Sequence, residues 1–125
     1  MVSSDHFISI GNTLLTYLEE DYLCDTVLVT RDGQLKAHSI LLAAVSPVFN
    51  ATFKTNYKPG MHYINLPDVN CIDVEVALYY IYTGKLLLPP LYTRTNELPK
   101  LFTALHHLGL DPHQLNGCEM KFRRY

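Results

Sequence analysis

Leu35-Lys36-Ala37-His38-Ser39-Ile40-Leu41-Leu42-Ala43-Ala44-Val45-Ser46-Pro47-Val48-Phe49 is the stretch whose reading decides the fold. Its first residues, Leu35 to His38, read as the return strand of a hairpin. The outgoing strand is the β-rich run Thr26-Val27-Leu28-Val29-Thr30, and Arg31-Asp32-Gly33-Gln34 lies between, with Asp-Gly as a strong turn signal. Ser39 is then expected to cap a short apolar helix, Ile40 to Val45. Ser46-Pro47 repeats the device, with serine as the cap and proline at the first helical position. The helix it opens covers Val48, Phe49 and Phe53 and stops before a loop over residues 55–62.

Upstream, residues 5–20 carry helical periodicity, with Phe7, Ile10, Leu14, Tyr17 and Leu18 on one stripe. Ser4 or Asp5 can cap its start, and Gly11 weakens the helix by about 1 kcal/mol relative to alanine unless close packing requires it. Downstream, Tyr63-Ile64-Asn65-Leu66 is a short strand ended by Pro67. Asn70 is expected to cap a long helix running to Tyr82, with Asp73 and Glu75 near its positive end. Gly84 sits where a helix-ending residue belongs, and Lys85 to Leu88 reads as a brief strand. After a loop at Pro89-Pro90, Asn96 or Glu97 opens a helix with Leu98, Leu101, Phe102, Leu105 and Leu108 inward, stopped by Gly109. Asp111-Pro112 begins a last helical turn that Gly117 stops. The expected fold is mixed α/β (α+β), a small sheet flanked by about five or six helices.

The 125 residues suit one domain, 1–125, with a core over about 5–115 and a short basic tail at 119–125 that reads as a solvated chain end. Apolar residues make up 48% and charged ones 18%, a balance that argues against disorder. A net charge of −2 gives no reason to expect nucleic acid or an anionic membrane as a direct partner. No run approaches the roughly 20 apolar residues of a membrane span, and the N-terminus lacks the basic start and apolar stretch of a secretory signal. Three cysteines, Cys24, Cys71 and Cys118, do not form a disulfide framework and favour a reducing compartment. Their spacing is even, but their flanks do not match, so no repeat is read.

Two constellations invite chemistry. His106, His107, His113 and Cys118 suggest zinc, but adjacent helical side chains point about 100° apart and no paired C-x-x-C supports them. Cys24 with His38 suggests a thiol nucleophile, yet both lie in segments expected to pack the core, where cysteine is a small inert hydrophobe. No phosphate loop or nucleophile elbow is present. No catalytic residue, metal or cofactor is expected.

Four stretches, in order and with compatible spacings, resemble the BTB/POZ family. Leu23-Cys24-Asp25-Thr26-Val27-Leu28-Val29 resembles its "CDV" strand, and Leu35 to Phe49 its "F-x-AH-x-x-LAA-x-S-x-x-F" segment. Tyr80-Ile81-Tyr82-Thr83-Gly84-Lys85-Leu86 resembles its "F-x-YTG-x-L" helix end, and Leu98 to Leu110 the helix that follows. His6 stands where a histidine often opens the family's first helix. The resemblance covers residues 5–115 or so and implies a non-enzymatic protein-interaction domain that forms homodimers, largely through the first helix. Phe7, Ile10, Leu14, Tyr17 and Leu18 are then the expected interface. Other BTB proteins, and corepressor or coactivator peptides, are further implied partners. The implied parent is a zinc-finger transcription regulator in the nucleus. The alternative is a kelch-type cullin ubiquitin-ligase adaptor, for which a cytoplasmic location is the expectation.

Three departures bear on that choice. Many family members pair the aspartate of "CDV" with a basic residue after "AH", forming a charged pocket at the dimer floor. Here Asp25 is present and Ser39 holds the basic position. Either Asp25 is hydrogen-bonded locally, or Lys36 or another cation compensates, or the pocket's chemistry has changed. Cullin-binding members resemble one another in an apolar-x-acidic motif after the third helix, and the matching Tyr57-Lys58-Pro59, downstream of Phe53, has proline in the acidic position. Last, the loop Pro89 to Thr95 is longer than usual, and the N-terminus is too short for the strand that many regulators exchange between protomers.

Overall fold

The structure, a computed structural model, describes residues 4–89, 98–110 and 120–122. The β-branched run Thr26–Thr30 forms β1 and Gln34–Ala37 forms β2, antiparallel, with Thr26 opposite Ala37 and Val29 opposite Gln34. The hairpin forms where expected, although neither Asp32 nor Gly33 takes the positive φ of a tight Asp-Gly turn: the Thr30 amide and hydroxyl both donate to the Gly33 carbonyl, at 2.8 and 2.9 Å. β3, His62–Leu66, lies parallel to β1 on its other side, from Thr26 opposite His62 to Thr30 opposite Leu66. A parallel neighbour requires a long crossover, supplied here by β2 and two helices. The sheet order is β2-β1-β3, and the central strand is the buried one, with Thr26 and Leu28 fully enclosed.

α1 spans Ser4–Glu19, α2 Ser39–Val45, α3 Pro47–Thr55, α4 Cys71–Thr83 and α5 Leu98–His107. α4 is the spine. Val74, Val76, Ala77, Leu78, Ile81 and Tyr82 are all buried, because a helix that is apolar all round must be enclosed on every side. Each of the valine, leucine and isoleucine side chains contributes about 1.5–3 kcal/mol through burial. α5 packs Leu101, Ala104 and Leu105 into the same core.

Ser46 caps α3, with its hydroxyl accepting from the Phe49 amide at 3.2 Å and donating to the Leu108 carbonyl at the end of α5. Gly109, which ends α5, is held at φ +80, and a Cβ there would lie 2.4 Å from the Ser46 hydroxyl, so both the backbone conformation and the close approach exclude a side chain.

Three sequence expectations are corrected. Ser39 does not cap α2: the cap position is His38, without a side-chain cap bond, because the Ser39 hydroxyl is held by Asp25. Asn70 occupies the cap position of α4 but its side chain caps nothing. The Asp32 carboxylate, from the hairpin turn, accepts the Cys71 amide at 2.7 Å instead. The backbone bond from Cys71 is the main reason that the Asp32 carboxyl sits below the ordinary carboxylate value. Third, the tail is not wholly a free end. Met120–Phe122 forms β5, parallel to β4 (Leu86–Leu88), with Leu86 opposite Met120 and Leu88 opposite Phe122. The apolar strand β4 offers an open edge, and three residues are too few for periodicity to reveal a strand. The expected turn at Asp111-Pro112, the loop from Pro90 to Thr95, His113, Cys118 and Arg123 to Tyr125 lie outside the described residues.

Candidate interaction surface around Asp25 and Ser39

The end of β2 and the start of α2 bring Cys24 and Asp25 of Leu23-Cys24-Asp25-Thr26 against His38 and Ser39. His38 is buried, and its ring is fixed from both sides. Nε2 lies 2.9 Å from the Tyr22 carbonyl, which can only accept, so Nε2 carries the proton. Nδ1 therefore accepts from the Tyr82 hydroxyl at 2.5 Å, while the Tyr82 oxygen accepts from the His38 amide at 3.1 Å. Burial pushes the Tyr82 phenol up to about 12. Cys24 Sγ is 3.7 Å from Nε2, but that proton is directed at a carbonyl. Burial, with the Asp21 carboxylate adding to it, pushes the thiol up. This pair is set to hold a loop and not to generate a thiolate.

Asp25 meets Ser39 directly. Its carboxylate accepts the Ser39 amide at 2.7 Å and the Ser39 hydroxyl at 2.5 Å, with the Thr26 hydroxyl at 3.2 Å. Burial alone would raise this carboxyl, but the bonds from Ser39 and Thr26 outweigh it and hold the group below its ordinary value. Of the three arrangements open to Asp25, local hydrogen bonding is the one present. Lys36 turns to Asp21, with Nζ 3.6 Å from its carboxylate in an exposed pair. Asp25 therefore keeps its charge: it is satisfied by donors and paired with no cation among the described residues.

Exposed apolar side chains flank this floor along the chain. Ile40, next to Ser39, is 78% exposed, and Leu23, two residues before Asp25, is 66% exposed. On α1, Phe7 is 62% exposed and Ile10 is also exposed, as is Ile8, which lay off the expected stripe. Leu14 and Leu18 are half-buried and pack on the core, as does Leu15, and half-buried Tyr17 sets its ring edge-on to Tyr22 at 4.9 Å. Sequence reasoning missed Ile8, Leu23 and Ile40. One signal was legible: Ile8, Gly11, Leu15 and Leu18 form a second 3–4 spaced stripe, with a glycine marking close approach. A Cβ on Gly11 would lie 2.4 Å from the Tyr82 carbonyl oxygen of α4.

The second expected contact region is separate. Phe53 is half-buried on the core and meets His62 edge-on at 5.2 Å, Tyr57 is 71% exposed beside the same ring, and Pro59 lies exposed in the loop before β3. His106 and His107 are exposed neighbours at the end of α5, with ring centroids 6.5 Å apart. Among the described residues no group of three or more metal-binding side chains converges, and no helix is long and apolar enough to cross a membrane.

Comparison with known proteins agrees with this architecture. The structure resembles the BTB domain of human gigaxonin, with a TM-score of 0.71 at 22% identity over 88% of this chain and 86% of that one. It also resembles the BTB domain of zebrafish PATZ1, with a TM-score of 0.69 at 23% identity over 86% and 84%. In sequence, the chain is 29% identical to the sex determination protein fruitless of Drosophila melanogaster over 98 residues, 75% of this chain and 10% of that protein. It is 31% identical to Kelch-like protein 40 of Xenopus tropicalis over 114 residues, 85% of this chain and 19% of that protein. The chain thus spans about a tenth to a fifth of the length of these curated relatives. The BTB/POZ domain family matches across residues 14–123. The chain belongs to the BTB/POZ family, whose domains are protein-interaction modules that self-associate and bind other proteins.

Proposed function

We propose that this chain is the homodimerising domain of a transcription regulator, acting in the nucleus and recruiting corepressor or coactivator peptides. The observation that carries the dimer is the apolar surface of Phe7, Ile8 and Ile10 on α1 and of Leu23 and Ile40 beside the Asp25–Ser39 floor. Large apolar side chains exposed to water cost free energy until a partner covers them, and a two-fold copy is a simple solution. Leu23 adds a second argument. It holds φ +60, a conformation that costs a leucine about 1 kcal/mol, yet its side chain points into solvent. The Tyr22 carbonyl held by His38 and the Asp25 amide bonded to the Ala37 carbonyl fix that backbone, and the conformation they impose presents the Leu23 side chain to a partner. Pairing two chains would raise the effective concentration of whatever DNA-binding segments the full protein carries. A net charge of −2 gives the domain itself no general attraction to DNA.

Light scattering at about 50 micromolar tests the dimer, a concentration at which micromolar association is populated. The expected mass is that of two chains, and Ile40→Asp is expected to reduce it to one without loss of helix content. A monomeric parent, or an unchanged dimer in the variant, would refute this interface.

A second reading, the cullin-ligase adaptor, is favoured by the likeness to Kelch-like protein 40 and by the exposure of Tyr57. Against it stands Pro59, where the family's cullin binders resemble one another in an acidic residue. Stoichiometric binding of a purified cullin N-terminal domain to this chain would reverse the order of the two readings.

A further inference from the structure

A groove of about 710 Å³ runs between α3, β3 and the end of α5, and it shares no residue with α1 or α2. One wall is the face of α3 that carries Val48, Thr52 and Asn56. The opposite wall is the whole of β3, with Met61 before it. Residues 62 to 66 all line the groove, although alternate side chains of a strand point to opposite faces. A groove that lies along the edge of the strand touches them all.

β3 is the outer strand of the sheet. The His62 amide donates to the Asp25 carbonyl at 2.8 Å, so His62, Ile64 and Leu66 turn their backbone groups toward β1. Tyr63 and Asn65 turn theirs outward, and no backbone or side-chain partner meets those four groups among the described residues. Exposed edges are commonly blunted by lysine or proline within the strand. His62-Tyr63-Ile64-Asn65-Leu66 has neither, and Tyr63 is 68% exposed. The groove's ionisable lining is Lys58, His62 and His107, with no aspartate or glutamate.

We infer that this edge and its groove are a docking site for an extended segment of a partner protein, which adds beside β3 as a fourth strand and carries acidic as well as apolar side chains. The outward amides and carbonyls of Tyr63 and Asn65 supply main-chain pairing, and Val48, Met61 and Ile64 receive an apolar side chain. Lys58 sets the charge preference. A helix laid in the same groove would cover those four backbone groups without pairing them, which disfavours it.

The probe is a phage-displayed library of random twelve-residue peptides selected on the whole chain. The expected winners alternate apolar and acidic residues, and hydrogen exchange at the Tyr63 and Asn65 amides slows when a synthetic winner binds. Asn65→Pro removes one outward donor and none of the bonds to β1, and it is expected to weaken that peptide about tenfold, the loss of one good hydrogen bond. Lys58→Glu, on an exposed loop, gives a second reading independent of the strand and should also weaken it. Winners that are basic or helical, an absence of winners, or binding that leaves both amides unprotected would overturn the proposal. So would a fall in the parent's solution mass on Asn65→Pro, which would make this edge a contact between copies. A cullin N-terminal domain that displaces the winning peptide, and whose own binding Asn65→Pro leaves undiminished, would assign the groove to a folded partner and overturn it too.

Discussion

The two halves of α1 have similar apolar content and opposite fates. Leu14, Leu15 and Leu18 in the second half pack on the core, while Phe7, Ile8 and Ile10 in the first half stand in solvent. The cause is length. Gly11 sits against the carbonyl of Tyr82, the second-last residue of α4, and the helices run in opposite directions, with Leu18 near Leu78 and Phe7 near Lys85. The turns of α1 before Gly11 overhang the end of α4 by roughly 10 Å at 1.5 Å per residue. Amphipathic periodicity says that a face is to be covered; it does not say whether by the same chain.

The largest test breaks the boundary between the halves. Gly11→Val places atoms where only 2.4 Å is available before a backbone oxygen, so α1 must move off α4. A loss of about 3 kcal/mol is expected, the cost of overpacking a rigid contact, read from urea unfolding. The next test sharpens the contrast. Leu18→Ala should lose about 2 kcal/mol, the low end for a core leucine because it is only partly enclosed, whereas Phe7→Ala should change stability by less than about 0.5 kcal/mol. In light scattering the order reverses: Phe7→Ala lowers the solution mass and Leu18→Ala does not.

A smaller loss of stability than that of Leu18→Ala is expected at the polar floor of Asp25 and Ser39. Ser39→Ala removes the hydroxyl bond to Asp25 at a cost of about 1 kcal/mol, discounted for the partial exposure of the carboxylate. Its pH dependence follows from sign. The Asp25 carboxyl is lowered in the folded chain, so its stabilisation is complete above the unfolded-state value and is lost as pH falls through the lower folded value. The gap between parent and variant should therefore hold at neutral pH and close below about pH 4. A gap that persists in acid would place the role of Ser39 elsewhere.

Local chemistry was legible in the sequence and long-range pairing was not. The hairpin, the Ser46-Pro47 helix start and the stops at Gly84 and Gly109 each depend on a few neighbouring residues, and each is present. The parallel alignment of β3 on β1 depends on a crossover through two helices, and β5 depends on an open edge contributed by β4; neither has a local signature. The candidate site divides in the same way. The motif placed Asp25 and Ser39 together, but it took the geometry to show that Ser39 gives both its amide and its hydroxyl to the carboxylate and that Lys36 faces Asp21. Ile40 was read as one more apolar residue of a short helix, because exposure at the first turn is set by what fails to pack over it.

The Asp32 tie between the hairpin turn and α4 has a consequence for how this sequence can drift. Asp32 serves a turn and a helix start at once, and Thr30 reaches both the turn and Cys71, at 3.0 Å from its sulfur. A Cβ on Gly33 would lie 2.9 Å from that same sulfur. Positions 33 and 71, distant along the chain, are thus expected to covary, a bulkier residue at 33 calling for a smaller one at 71, while loss of the acid at 32 would leave the Cys71 amide to the side chain of Asn70.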